Sequence, residues 1–404
     1  MKVLVLDANV SYMNPTRVLM APLLSLLGDV RFFGPGYVSS NELKNGLNTF
    51  ISKYGPFDVA ISTEHFSMFH IKDDPAYESF IKHYKNSFFY QFNDSDLVHF
   101  WNQTKEFMNL DVYKVALFIA FDFQQITKVR TDYLKENFHI VGGLSRQFWK
   151  STDQLKNLHL EKFSNTINNN WFEFISSSHE KILPILHFIS PNEFDFTPIH
   201  FRKKNWSVLG ANYFTRKKAM KEFARSKIEV NTGKSKWYNI IRIASRLGLR
   251  PYSKQVTIDH LQKSFFSALK QTKFSYTCGS KLYFPIRKYF EIPTAGTLLV
   301  CEPCNGFESM GFIDGENSII SDPERLPSLG NELLNDLDHI QEIILAGQKL
   351  MFEKHSIYAR AEQIRKSIEA GLKGHFKGAK WERGNFFLKE GKSATPLNDK
   401  SDSS

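Results

Sequence analysis

Arg287 and Glu291 stand four residues apart in a segment, 276–317, that concentrates the chemistry of this chain. That spacing is about one helical turn, so a cation and a carboxylate share one helix face. An ionised carboxylate only accepts hydrogen bonds, so Glu291, close to a helix-ending Gly296, suits the paired hydroxyls of a ribose. Arg287 and Arg216 carry fixed positive charge that suits a diphosphate, and such charge lowers the barrier when a phosphate-bearing group departs. Arg216 follows Gly210 and Tyr213 near a helix start, where bare backbone approaches a phosphate and the helix dipole favours anions. Gly279 and Ser280 form a turn after a strand.

Each of these residues also has a plainer reading. Glu291 pairs with Arg287 on an exposed helix face, an arrangement worth only about 0.3–0.5 kcal/mol. Arg216 belongs to a solvated basic run with Lys217 and Lys218, and Gly279 and Ser280 make an ordinary turn. Glu308, followed by Gly311 and Phe312, reads as a carboxylate at a helix start, which the dipole favours. Asp94 and Asp96 have the D-x-D spacing that holds a divalent cation, but they sit between helical patterns, where capping by Asp94 or Ser95 is simpler. Cys301 and Cys304 form a lone C-x-x-C with no second pair to close a zinc site, so they read as a strand end running into a turn.

The elements that must position these groups alternate along the chain. Strands are expected at 2–7, 30–33, 57–62, 114–120, 139–142 and 181–188, with helices at 16–27, 41–55 and 125–136 and a helical insertion at 73–108. A second alternating series starts at 206–211. It continues through helices 217–226, 238–247 and 258–271, a strand at 274–278, a helix ending near 294 and a strand at 297–301. Strand–helix–strand units of this length imply parallel sheets with right-handed crossovers. The predicted fold class is therefore α/β, and ligands belong beyond the carboxyl ends of the strands.

The pattern Arg287, Phe290-Glu291, Ala295 and Gly296 before an apolar strand resembles the donor-nucleotide motif of GT-B glycosyltransferases, in the branch that includes bacterial spore-maturation glycosyltransferases. The resemblance is good from about residue 206 to 365 and holds only in outline before that. It implies two Rossmann-like domains facing across a cleft, with C-terminal helices. The expected division is an acceptor domain at 1–194, a linker at 195–204, a donor-nucleotide domain at 205–372, a basic aromatic segment at 373–390 and a disordered tail at 391–404. It implies sugar transfer from a nucleotide-diphosphate donor to a hydroxyl on a glycan, a lipid-linked saccharide or a protein, with no metal or other cofactor, as in cell-surface polysaccharide synthesis. The donor would lie between Gly210, Tyr213, Arg216, Gly279, Ser280, Arg287, Glu291, Gly296 and Glu308. Many retaining relatives carry a second glutamate eight positions before the first, where this chain has Tyr283. An inverting reaction needs a base at a strand end of the first domain, and Glu64, His65 and Asp122 are the candidates.

Composition is that of an ordinary soluble globular protein: 404 residues, 23% charged and 42% hydrophobic, long for one core and natural for two. Three cysteines cannot staple such a chain, which favours a reducing compartment. The opening M-K-V-L-V-L-D reads as a core strand and not a signal peptide, and the expected location is cytoplasmic, including the inner face of a membrane. Formal net charge is +10, with basic clusters at 202–204, 216–218 and 373–392, the last interleaved with aromatics. A solvated surface, peripheral attachment to an anionic membrane and nucleic-acid binding all remain open for that cluster. No nucleic-acid motif is present, so nucleic acid is not an expected partner. The alternatives to an enzyme are a non-catalytic nucleotide-sugar binder of the same fold and a basic binding protein.

Overall fold

Strand β1 (Lys2–Leu6) sends Val3 and Val5 to one face and Leu4 and Leu6 to the other, and all four are fully buried. A strand apolar on both faces belongs inside a covered parallel sheet. A computed structural model, which describes residues 1–9, 18–63, 92–118, 127–144, 169–210, 213–233, 236–247, 249, 255–279 and 283–391, places it there. The first sheet runs β2-β1-β3-β4-β5-β6, all neighbours parallel. Its other strands are β2 (Asp29–Phe33), β3 (Val59–Thr63), β4 (Tyr113–Phe118), β5 (Ile140–Leu144) and β6 (Ile182–Ile185). The face bearing Leu4, Leu6 and Ala60 is covered by α2 (Ser40–Asn45), α3 (Leu47–Tyr54), α4 (Asp94–Met108), α5 (Lys128–Asn137) and α6 (Asn169–Ser177). On the face bearing Val3, Val5 and Ile61 lies α1 (Met20–Ser25), through Met20, Leu23 and Leu24.

The single helix expected at 41–55 is two. Gly46 adopts φ +91°, a left-handed conformation that stops α2, and the side chain of Gln103 accepts from the Leu47 N–H at 2.8 Å to start α3. Ser39 caps α2 in a reciprocal capping box with Glu42.

The second sheet runs β11-β10-β9-β7-β8, also parallel throughout, with β7 (Lys204–Ser207), β8 (Val230–Asn231), β9 (Thr272–Thr277), β10 (Leu298–Cys301) and β11 (Ile319–Ile320). Leu298 and Val300 enter a core shared with α7 (Phe214–Arg225), α11 (Leu326–Leu334) and α12 (Leu337–Lys354). Leu299 and Cys301 point the other way, toward α9 (Gln255–Lys270) and α10 (Lys288–Thr294). Between β8 and α9 lies α8 (Lys236–Arg246).

The last helix, α13 (Ile357–Leu372), was assigned on sequence to the second domain. Its apolar positions Ile357, Ala361, Ile364 and Ile368 instead complete the core on the α1 face of the first sheet. The basic aromatic segment forms a hairpin, β12 (Phe376–Glu382) and β13 (Asn385–Glu390), docked on the same domain. Trp381 is buried there and its indole N–H donates to the Pro184 carbonyl at 3.0 Å. Lys377 pairs with Glu180 at 3.1 Å, while Phe387 on the other strand is 45% exposed.

Two chain passages join the domains, and they touch. Ile189 and Ser356 form a parallel bridge, the Ile189 N–H donating to His355 at 3.0 Å and the Ile357 N–H to Ile189 at 2.8 Å. His355 is fully buried, with Nε2 at 2.8 Å from the Met310 carbonyl and Nδ1 at 3.1 Å from Arg360. Burial and the neighbouring Arg360 push its pKa down to about 3. The expected linker is held fast at Arg202, whose buried guanidinium donates to Thr197 O, Ala295 O, Leu269 O and Thr297 Oγ1.

Candidate functional site

The carboxyl ends of β7, β9 and β10 open on one edge of the second sheet, and the groups with usable chemistry gather there. β7 leads to Gly210 at φ +89°, a conformation that disfavours any residue with a side chain. A methyl group on Gly210 would come within 2.5 Å of Lys288 Cε, 2.7 Å of Lys288 Nζ and 3.2 Å of Arg216 Nη1. The bare backbone therefore passes directly beneath two cations. Arg216, in the first turn of α7, is buried, unlike the exposed Lys217 and Lys218, so the solvated-run reading of it fails. Its Nη1 donates to Leu209 O at 3.0 Å and its guanidinium lies 4.6 Å over the Tyr213 ring.

Lys288 is the residue that sequence reasoning missed. It is half-buried, and among the described residues no carboxylate lies within ion-pair distance of its ammonium. Burial pulls its pKa below the usual lysine range; Glu291 opposes this, while Arg216 and Arg287 add to it. Its position between Arg287 and Glu291 was the available signal.

Arg287 does something other than expected. Its Nη1 pairs with Glu291 Oε1 at 2.5 Å, and its Nη2 reaches Glu193 Oε1 and Oε2 at 2.7 and 2.6 Å and Phe188 O at 3.3 Å. All three charged residues are buried, with Arg287 6%, Glu193 8% and Glu291 3% exposed. This corrects the expectation of an exposed helix pair: the Arg287–Glu291 pair is buried, and the guanidinium expected at the diphosphate is engaged by Glu193, Glu291 and the Phe188 carbonyl. Although burial opposes its charge, Glu193 and Glu291 hold the guanidinium above its usual range. Arg287 is a positioning residue that fixes one oxygen of Glu291. No described residue hydrogen-bonds Oε2 of Glu291, the second acceptor oxygen of that carboxylate.

β9 ends at Thr277, and Gly279 then packs on the backbone of Tyr283, where a methyl group would meet Cα at 2.8 Å. Tyr283 adopts φ +55° and donates its hydroxyl to Glu302 Oε1 at 3.2 Å. Glu302 follows β10 directly. Burial raises its pKa, against the opposing pull of hydrogen bonds from Thr215 and Tyr283. As the first carboxylate beyond a buried parallel strand, Glu302 was recoverable from sequence and was passed over.

Gly296 does not join this edge. Its φ of +64° turns the chain from α10 into β10 at the opposite end of the strand, and a methyl group there would meet Asp195 O at 2.4 Å and Arg202 Nη2 at 2.5 Å. Its role is to seat the linker. Glu308 is exposed and opens a short 3-10 turn, 308–310, whose neighbour Gly311 packs on Gly384 of the hairpin. Ser280, Glu64, His65 and Asp122 lie outside the described residues. On the first sheet, Asp7 sits buried just beyond β1 and accepts from Tyr37 at 2.8 Å and from Thr63. Asp94 and Asp96 occupy the first turn of α4, where Asn93 holds the N-cap position without a side-chain capping hydrogen bond; Asp96 accepts from Ser40 at 3.0 Å. The three cysteines are buried and free, and burial raises the thiols of Cys301 and Cys304.

A cleft of about 330 Å³ separates the two domains, lined by Val18 and Leu19 of the first, Ser190 and Glu193 of the connection, and Asp259 and Lys263 of α9. Two parallel-sheet Rossmann-like domains facing across such a cleft, tied by a returning C-terminal helix, constitute the GT-B fold. Residues 216–366 match the model of the family described as glycosyl transferase-like. Among solved structures, Anabaena Alr3699/HepE in complex with UDP and glucose is similar over 92% of this chain and 100% of its own, at 11% identity and a TM-score of 0.50. A glycosyltransferase from Rickettsia africae ESF-5 matches over 92% of this chain and 98% of its own, at 12% identity and a TM-score of 0.48. Sucrose-phosphate synthase from Thermosynechococcus elongatus covers 91% of this chain and 98% of its own, at 10% identity and a TM-score of 0.46. No curated protein matches the chain.

Proposed function

We propose that this protein transfers a sugar from a nucleoside-diphosphate sugar to a hydroxyl acceptor. The observation that carries the reading is the carboxyl edge of the second sheet, where Gly210, Arg216 and Lys288 converge one helical turn from the oriented carboxylate of Glu291. Backbone without a side chain, a helix N-terminus and two cations form a seat for a diphosphate. Glu291 Oε2 then accepts from the ribose hydroxyls, while Arg287 holds the carboxylate in register. As the glycosidic bond breaks, negative charge builds on the departing diphosphate, and Lys288 and Arg216 meet it with fixed positive charge. Those cations supply the neutralisation for which other enzymes use a divalent metal. The acceptor enters from the first domain, and its deprotonation falls to a group at that sheet's carboxyl edge.

A nucleotide-sugar binder without transfer is the second reading. Tyr283 favours it, because that position carries a hydroxyl tied to Glu302 where retaining relatives place a carboxylate. Slow donor hydrolysis by the purified protein excludes it.

The test uses UDP-glucose first, then a panel of other nucleotide sugars, in thermal-shift and calorimetric titrations. A donor at a hundred times its Kd stabilises the protein by about 2.7 kcal/mol. Glu291→Gln keeps the shape and leaves Arg287 paired with Glu193, so it folds normally. It weakens donor binding by roughly 10- to 150-fold, the loss of charge-assisted hydrogen bonds worth about 1.5–3 kcal/mol. Unchanged affinity in that variant removes the ribose assignment.

A further inference from the structure

Glu302 is a half-buried carboxylate at the carboxyl edge of the second sheet, left unused by the diphosphate seat and the ribose contact. Its main chain is tied down on both sides. The Glu302 N–H donates to Thr277 O at 3.1 Å, and Glu302 O accepts from the Tyr289 hydroxyl at 2.5 Å. Its side chain accepts from the Tyr283 hydroxyl at 3.2 Å and from Thr215. Burial works against its charge, yet among the described residues no lysine or arginine lies within ion-pair distance of it, and the neighbouring Lys218 is paired with Glu324. A half-buried carboxylate without a counter-ion is costly. A group that only braced a tyrosine and a threonine would do so equally well as a neutral amide.

The brace is held under strain. Tyr283 has φ +55°, a left-handed conformation that side chains rarely adopt. The bare face of Gly279 and a hydrogen bond from the Asn305 N–H to Tyr283 O at 2.8 Å keep it there. At or just beyond the carboxyl ends of β9 and β10, two buried polar atoms, Thr277 Oγ1 and Asn305 Nδ2, have no hydrogen-bond partner among the described residues. Buried polar atoms are normally satisfied, so these two call for a polar partner.

Connectivity names the ligand. Thr215 precedes Arg216 in the first turn of α7, so its hydrogen bond puts the carboxylate beside the proposed diphosphate seat. A nucleoside-diphosphate sugar has ribose, diphosphate and sugar in a row, and on the proposed function Glu291 takes the ribose. The group left to meet Glu302 is the sugar at the other end. An ionised carboxylate has about four lone-pair sites; Tyr283 and Thr215 occupy part of that capacity, and the rest accepts from further hydroxyls. We infer that Glu302, oriented by Tyr283, binds hydroxyl groups of the donor's sugar and so selects which sugar the site takes. The inference rests on the proposed function, and it holds equally for a transferase and for a binder without transfer.

The experiment is calorimetric titration of the full chain with UDP, UDP-glucose, UDP-galactose, UDP-N-acetylglucosamine, GDP and GDP-mannose. The sugar nucleotide that the unmodified chain binds most tightly is then compared with its own bare diphosphate in the variants. Glu302→Gln keeps the shape and an acceptor for Tyr283, so it folds normally. It lowers affinity for the sugar nucleotide at least roughly tenfold, the loss of charge-assisted hydrogen bonds to the sugar, and leaves affinity for the bare diphosphate unchanged. Tyr283→Phe gives the same split by a smaller factor, which a merely structural role would not produce. A fall shared by the bare diphosphate, or no fall for either ligand, overturns the inference, while binding of the bare diphosphate by the unmodified chain keeps the proposed function. Failure of the unmodified chain to bind any of these ligands overturns the proposed function, and this inference falls with it.

Discussion

Replacing Arg287 with methionine separates a positioning arginine from a phosphate-binding one. In the structure its two terminal nitrogens are occupied by Glu193 and Glu291, both nearly without solvent. Arg287→Met fills much of the same volume but leaves two buried carboxylates facing each other with no cation between them. Removing one partner from a buried ionic group costs about 3–5 kcal/mol, because the abandoned charge keeps its desolvation penalty. At about 2–4 °C per kcal/mol for a domain of this size, the unfolding temperature falls by roughly 6–20 °C. Thermal unfolding by circular dichroism at pH 8 measures it.

The sign of the pH dependence sharpens the test. In the variant at least one orphaned carboxyl is driven above the unfolded glutamate pKa. Its penalty is complete above that raised value and is relieved as pH falls through it, so the deficit shrinks on acidification. Adding Glu193→Gln to Arg287→Met removes one of the two facing charges and recovers part of the loss at pH 8. An Arg287→Met protein that melts like the unmodified chain but no longer binds donor refutes this reasoning and returns Arg287 to the diphosphate.

Lys288→Met makes the opposite pattern: unfolding temperature unchanged or raised, and donor affinity reduced by roughly 10- to 150-fold in calorimetry, the worth of about 1.5–3 kcal/mol. Because burial and two neighbouring arginines lower the Lys288 pKa, the binding-competent ammonium is lost first as pH rises, so donor affinity falls with increasing pH in the unmodified protein and is flat in the variant. A pH-independent affinity in the unmodified protein contradicts this. His355 governs the acid side of stability. Its folded pKa of about 3 lies below the unfolded value, so stability is complete above pH ~6.5 and is lost as pH falls, by about 2 kcal/mol at pH 5. His355→Gln, followed by urea unfolding across pH, flattens that limb; an unchanged slope rules out the assignment.

Where one face of an element decides its environment, the sequence was legible. The doubly apolar runs at Val3–Leu4–Val5–Leu6 and Leu298–Leu299–Val300 announced parallel strands, and the strand-and-helix alternation announced two such sheets. Gly210 and Arg216 stand out in the sequence because a glycine after a strand and a cation at a helix start have local physical meaning, and the structure brings the two together. Long-range partners were not legible. The apolar face of α13 is plain in its periodicity, but nothing in Ile357, Ala361 or Ile364 says which of two cores it enters. Likewise Glu193 lies 94 residues from Arg287, and without it Arg287 looked available to a ligand. Gly296 was misplaced because its positive φ serves a helix end, and the approaching backbone that requires it belongs to the linker.

The same reasoning explains how adjacent cations on one short helix come to do different work. Consecutive helical residues point about 100° apart, so if one faces the domain junction its neighbour cannot. Arg287 turns inward, where the fixed fork of its guanidinium engages Glu291 through Nη1 and Glu193 with the Phe188 carbonyl through Nη2. Lys288 turns to the strand edge at Gly210, where, on the proposed function, a compact ammonium on a flexible stem would adapt to a phosphate oxygen. Exchanging the two residue types would therefore fail at both positions. A lysine at 287 would leave carboxylate oxygens unsatisfied, and an arginine at 288 would drive its wider head group into the glycine backbone that makes room for the ligand. The inner cation is met by two carboxylates of the protein, whereas the outer one has none at ion-pair distance among the described residues and, on the proposed function, meets the diphosphate.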